Sequence, residues 1–247
     1  MTGRELIAHM RESVLDDEVE PYLWQDKELL RYLNYAEVQA CRRAQLIIDG
    51  TTANDSGTAA TAGTLGQKPL CNLDIVADQA TYNLSPKILQ VKRCQLQSMT
   101  YPLIGPVSYS ELDENISGWF GTSGTVSTAG SGGNPSYFLN EPGSTITFVR
   151  APSTTDTAFL VVSRLPLIPF TLSTSPEIPE SYHEGLTHWA ANLAYLKMDS
   201  DTLNINLAKL HESMFITQFG ELPNAYSERM RRTLSQKQRM RPRPFGS

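Results

Sequence analysis

Gln25-Asp26-Lys27-Glu28-Leu29-Leu30-Arg31-Tyr32-Leu33-Asn34-Tyr35-Ala36, running on to Gly50, decides the fold. Leu29, Leu33, Ala36, Ala40, Ala44 and Ile47 recur at spacings of three and four. That spacing places them on one face of a helix of about six turns. Gln25 and Glu28 stand where a capping box needs them, and Trp24 and Leu29 can form a hydrophobic staple. The alanines allow close approach of a second helix. Arg31, Arg42 and Arg43 are expected towards solvent or a neighbouring subunit, and Asp49-Gly50 ends the helix.

Upstream, Leu6, Ile7, Met10 and Val14 mark a first helix over about Thr2 to Leu15. The acidic break Asp16-Asp17-Glu18 and Pro21 separate the two helices. Residues 1–50 thus form an N-terminal helical unit. Residues 51–68 are mostly Thr, Ala, Gly and Ser, which cannot build a packed core and read as a flexible loop.

The period changes to two in the next segment. Thr145-Ile146-Thr147-Phe148-Val149 alternates, and Phe159, Val161 and Leu165 lie on alternate positions of another strand. Tyr82-Asn83-Leu84 and Lys87 to Leu96 give two more strands around Ser85-Pro86. Residues 69–175 therefore read as a small antiparallel β module, interrupted by a mobile Gly/Ser/Thr loop at 121–135. A third helix begins near Pro179 with the stripe Tyr182, Leu186, Trp189, Leu193 and Leu196. Asp199 to Asp201 supply a turn and a cap. A fourth helix carries Leu203, Leu207, Leu210 and Met214, and ends near Gly220. The expected fold is α+β: an antiparallel bundle of four main helices, closed by residues 176–220, with the β module inserted. The expected bundle core is Trp24, Leu29, Leu33, Ala36, Ala40, Leu186, Trp189, Leu193, Leu207 and Leu210. An extended basic arm, residues 221–247, follows.

Charge is unevenly placed. The chain of 247 residues has a net charge of −5. Ser227 to Ser247 hold seven basic residues and one acidic, a balance of +6, which leaves −11 on the rest. A basic tail on an acidic body points to an acidic surface or a nucleic acid as partner, or to a solvated end. Cys41, Cys71 and Cys94 are odd in number and form no CxxC, which speaks against a disulfide framework or a zinc knuckle. No apolar run has the length of a membrane span. Met1 to Met10 lack the apolar core of a secretory signal, so synthesis and folding in a cytosol are expected.

Catalytic patterns fail on spacing. His183-Glu184 opens like a zinc-protease helix, but His188 lies five residues on and about 140° away from the first ligand's direction. Gly57 to Lys68 lack the phosphate-loop spacing, and Pro69 stands where Ser or Thr would bind magnesium. Gly121-Thr122-Ser123-Gly124 is not a nucleophile elbow. Asp16-Asp17-Glu18-Glu20 lacks the turn glycine of a calcium loop and reads as a solvated acidic turn. No catalytic residue, cofactor or metal is expected, and the chain does not read as an enzyme.

The order of segments resembles the head-to-tail adaptor, or connector, proteins of short-tailed bacteriophages. Tyr22 to Ala36 is similar to that family's Trp, polar pair, Glu-Leu-Leu and Leu-Asn-x-Ala pattern on a long helix. Tyr82-Asn83-Leu84-Ser85-Pro86-Lys87-Ile88 resembles its turn into a strand, with the proline displaced by one and Lys87 in place of an acid. Ser108 to Leu112 with Trp119 resembles a short helix and tryptophan before a hairpin. Ile178 to Ala194 with Phe215 to Gly220 is similar to the closing helix pair.

The resemblance implies a structural virion protein at the head–tail junction, made in the host bacterial cytoplasm. It implies a self-assembled ring of about twelve copies below the portal protein. Tail or nozzle proteins would bind the far side, and phage DNA would pass through the lumen, during packaging, retention and ejection, without sequence recognition. An acidic lumen would not attract phosphate and so would not retard the strand. The C-terminal arm would meet the portal through Arg229, Arg231, Arg232, Lys237, Arg239, Arg241, Arg243 and Phe245. Arginine forks suit portal carboxylates, and the prolines at 242 and 244 favour an extended chain. Two alternatives compete: a nucleic-acid-binding protein using the basic tail, and a tail-completion protein at another level of the tail.

Overall fold

Thr2 starts helix α1 (Gly3–Met10) with a full capping box, its side chain accepting from Glu5 N while the Glu5 carboxylate accepts from Thr2 N. The computed structural model describes residues 1–50, 70–116, 118–120, 134–141, 145–198 and 201–228. A π-helical turn (Arg11–Leu15) continues α1 and stops at Asp16, whose φ of 52° is left-handed. Helix α2 (Asp26–Ala44) follows, then β1 (Ile47–Asp49), β2 (Asn72–Ile75), β3 (Thr81–Asn83) and β4 (Ile88–Leu96). Helix α3 (Tyr109–Asn115) precedes β5 (Tyr137–Glu141), β6 (Thr145–Val149) and β7 (Asp156–Arg164). Helices α4 (His183–Tyr195) and α5 (Ile205–Phe219) close the described chain. The architecture is α+β with antiparallel sheets.

Helices α1, α2, α4 and α5 share one apolar core. Leu6, Met10, Trp24, Leu29, Leu33, Ala36, Ala40 and Leu186 are buried in it to 1% exposure or less. Burying each large side chain contributes about 1.5–3 kcal/mol. α4 is the central helix, buried on almost every side, because Gly185, Ala190, Ala191 and Ala194 let α2 and α5 approach. Gly3 makes another close approach: a side chain there would collide with the Thr171 carbonyl, and its N–H donates to Thr174 O.

Two expectations fail at α2. Gln25 occupies the N-cap without a side-chain bond, and Glu28 accepts instead from Tyr32 and Lys197. The helix ends at Ala44, where Gln45 turns left-handed at φ 51°, and Ile47 belongs to strand β1 rather than to the helical stripe. β-branched Ile47 and Ile48 pair with Arg164 and Ser163 across the sheet, which outweighs one more helical turn. The acidic break is not simply solvated: Asp17 is buried, accepts from Leu23 N and Trp24 N, and pairs with Arg11.

α5 corrects the expected core. Leu210 is 47% exposed and Leu193 partly exposed, while Leu207 and Trp189 are partly buried and pack against the core. The inward face is Ala208, His211, Phe215 and Phe219, turned away from the leucine stripe. The aromatic rings carry more apolar surface than the leucines, and Ala208 lets the backbone come close enough for Asn192 to donate to its carbonyl at 2.9 Å. The cap is Asn204, accepting from Leu207 N.

The β module hangs from β7. β4 pairs along one side of it, with two register shifts, while β1 and β2 pair end to end along the other. A second sheet has the order β3-β6-β5. The two sheets share a core of Tyr82, Val91, Cys94, Leu96, Phe138, Ile146, Phe148 and Leu160. On β7 the core-facing residues are Ala158, Leu160 and Val162, and Phe159 points outward at 43% exposure. Ser108 caps the short helix α3, and Trp119 stacks on Tyr109 and donates to Asp113 at 2.8 Å. The loop expected at 51–68 and all but the end of the one at 121–135 lie outside the described residues.

Candidate assembly surfaces

The end of α5 fixes where the C-terminal segment departs. Gly220 adopts φ 83°, which favours glycine, and Arg43 donates to its carbonyl at 2.9 Å. Arg43 is buried, correcting the expectation that it faces solvent. Its guanidinium lies 4.8 Å from the Trp189 ring and 4.9 Å from that of Phe215. Burial lowers its pKa, against a smaller opposing pull from Glu212. Asn224 then caps a single turn, accepting from Ser227 N, and Glu228 accepts from Arg42 Nε at 3.2 Å and Nη2 at 3.0 Å. Two adjacent arginines of α2 thus hold both ends of residues 220–228. Arg229, Arg231, Arg232, Lys237, Arg239, Arg241, Arg243 and Phe245 lie outside the described residues.

A polar cluster joins the helices to the sheet. Arg164, at the end of β7, donates to Asp49 Oδ2 and to Glu177 Oε2, both at 2.6 Å. Burial opposes its charge, but the bonds from Glu177 and Asp49 outweigh burial and raise its pKa. Glu37 of α2 reaches the same place, accepting from Glu177 N at 2.6 Å and Ile178 N at 3.3 Å. Burial lifts the Glu37 carboxyl to about 7, against the pull of those two backbone donors. The cluster ties the ends of β1 and β7 to α2 and to the segment leading into α4.

Apolar side chains left outside the core form two groups. Leu196, Met198, Leu203, Ile205, Leu210 and Met214 are exposed around the α4–α5 connection and along the outer face of α5. Tyr101, Ile104, Tyr109 and Phe120 are exposed on the β module. Scattered exposed apolar residues are ordinary, but runs along one helix mark interaction surfaces.

The cysteines are buried, and His183, His188 and His211 have contacts within the fold. The three cysteines are free and buried, and burial pushes the thiols of Cys71 and Cys94 up to about 12. Burial also raises the Cys41 thiol. His183 is buried with Nε2 2.9 Å from the Ile178 carbonyl, whereas His188 faces His211 across the α4–α5 contact. Among the described residues no three His, Cys, Asp or Glu side chains are grouped to hold a metal ion. No described helix is long and apolar enough to cross a membrane.

A comparison with curated proteins found no match. The family model described as SU10 adaptor protein matches residues 1–243, nearly the whole chain. Phage adaptors are structural proteins of the virion that join other parts of the particle, and the helix–sheet–helix order of the described residues falls within the matched range. The chain belongs to the SU10 adaptor protein family.

Proposed function

We propose that this protein forms the ring that joins the portal to the tail and lines a conduit for phage DNA. The carrying observation is the family match over residues 1–243, which extends through most of the basic segment. The helical layer would be an antiparallel four-helix bundle, and residues 69–175 an inserted module. Residues 221–247 would be the portal-docking arm, rooted at the turn capped by Asn224, with Arg229, Arg231, Arg232, Lys237, Arg239, Arg241 and Arg243 meeting carboxylates and Phe245 as apolar anchor. The paired anchors Arg43–Gly220 and Arg42–Glu228 support this reading. They fix residues 220–228 in the free protomer, so that the freedom of this root need not be lost on docking. The outward apolar residues of α5 are suited to a neighbouring copy in the ring.

Repetition around a ring multiplies weak attachments into a strong one. The test is to mix the full chain with purified portal rings and image the mixture by electron microscopy, with and without residues 229–247. Coaxial stacked rings, lost on truncation, are expected. Intact chain that ignores portals and instead binds DNA with steep salt dependence would replace this reading with nucleic-acid binding.

A further inference from the structure

Two histidines meet where α4 packs on α5. Nδ1 of His188 and Nδ1 of His211 are 3.3 Å apart, and their rings stack with centroids 5.5 Å apart and planes 26° from parallel. The Tyr195 ring also stacks with His211, at 5.8 Å and 10°. His211 is 9% exposed and His188 half-buried. A hydrogen bond between two Nδ1 atoms requires one ring to donate and the other to accept. The accepting ring must therefore be neutral. With both rings protonated, two donors carrying like charge would face each other inside a helix contact.

The surroundings give little compensation for a second charge. On α4, Glu184 lies one turn before His188 and favours its charge, while His9 of α1 opposes it. On α2, Arg43 stands over Trp189, next in sequence to His188. On α5, Glu212 acts on Arg43. Asp16, after the π-helical turn, acts on Tyr195. Burial lowers the pKa of both rings, and the charge of His188 lowers that of His211 further.

We propose that His188 and His211 form an acid-sensitive latch that holds α5 on α4 while one ring is neutral and loosens it when both are protonated. α5 runs directly into Gly220, so loosening it also weakens the hold of Arg43 on that carbonyl. The inference concerns the folded protomer and holds whether or not the ring reading does. The sign follows from the direction of the shifts. Both pKa values are depressed on folding, so the stabilisation is complete above the ordinary histidine value, about 6.5, and is lost as pH falls below it.

The test uses the full chain in chelator-containing buffer. Imidazole resonances are followed by NMR from pH 8 to 5, with hydrogen exchange of the α5 amides over the same range. Both rings should titrate below the ordinary midpoint, and His188→Gln should move the His211 midpoint upward. After correction for intrinsic exchange, opening of α5 should rise by up to about tenfold per pH unit for each proton taken up. That rise should be smaller in His188→Gln. Independent titration of the two rings near 6.5 in the wild-type chain would overturn the proposal. So would equal acid sensitivity of α5 in the wild type and the variant. The wild-type titration decides the matter even if a variant folds poorly.

Discussion

Glu37 is 1% exposed, on the face of α2 that meets the segment leading into α4. Its carboxyl is lifted to about 7, chiefly by burial. Folding therefore raises its pKa above the unfolded value of 4.5. The folded chain holds the extra proton between those two values, so this group's contribution to stability is greatest at low pH. It declines as pH rises from about 4.5 to about 7 and is constant above that. Glu37→Gln keeps a carbonyl oxygen for Glu177 N and Ile178 N but cannot ionise. Denaturant unfolding should give nearly equal stabilities for the two proteins at pH 5. At pH 8 the variant should be more stable by roughly 1–3 kcal/mol. Parallel curves at both pH values would mean that Glu37 is not buried as an acid. Nothing in the sequence marks this position. Glu37 follows Ala36 on the predicted stripe, but its donors lie 140 and 141 residues downstream. Arg43 is similar: its burial depends on Trp189, Phe215 and Gly220, which only the tertiary fold brings to it.

Helix periodicity finds an element more readily than it finds the element's inward face. α5 has two apolar stripes at helical spacing, and both satisfy the same pattern. Of the leucine stripe, Leu203, Leu210 and Met214 are exposed and Leu207 packs at the edge of the core. Phe215 at 0% and Phe219 at 4% exposure face α4. Ring volume and the complementary surface of Trp189 decide between them, and neither is a property of spacing. The difference is measurable. Phe215→Ala should cost about 3–5 kcal/mol in thermal or denaturant unfolding, since it empties a packed site. Leu210→Ser should change protomer stability by no more than about 0.5 kcal/mol. If α5 meets a neighbouring copy, Leu210→Ser should weaken self-assembly, read by sedimentation or by ring counts on portals. A large loss of protomer stability in Leu210→Ser would place that side chain inside after all. The end of α2 has the same origin: Ile47 continues a helical spacing, yet its partner is Arg164 of β7, 117 residues later. In contrast, the strand at Thr145–Val149 and the α2 stripe from Leu29 to Ala40 were legible, because each element's own pattern fixes its type.

Across the whole molecule, the helix–sheet–helix order was legible because it depends on where the period changes. The joint between the parts was not. Arg164 closes β7, Asp49 closes β1, and Glu177 lies on the path into α4, so three distant segments converge on one guanidinium. The root of the C-terminal segment is a second long-range arrangement, and it carries the last prediction. Arg42 and Glu228 are partly exposed, so their ion pair contributes only about 0.2–1 kcal/mol to the protomer. Its larger effect, under the ring reading, is to aim the basic segment. Arg42→Glu should leave the melting temperature within a few degrees of wild type, yet reduce portal capture on the order of tenfold or more once multiplied over a ring. Adding Glu228→Arg to Arg42→Glu restores opposite charges with the polarity reversed, and portal capture should recover. Wild-type capture by the single variant would show that the root does not aim the segment. If wild-type protein fails to bind portals at all, the fault lies with the ring reading and not with the pair. Failure of the double variant to recover, with the fold intact, would assign the loss to Arg42 itself touching the portal rather than holding Glu228.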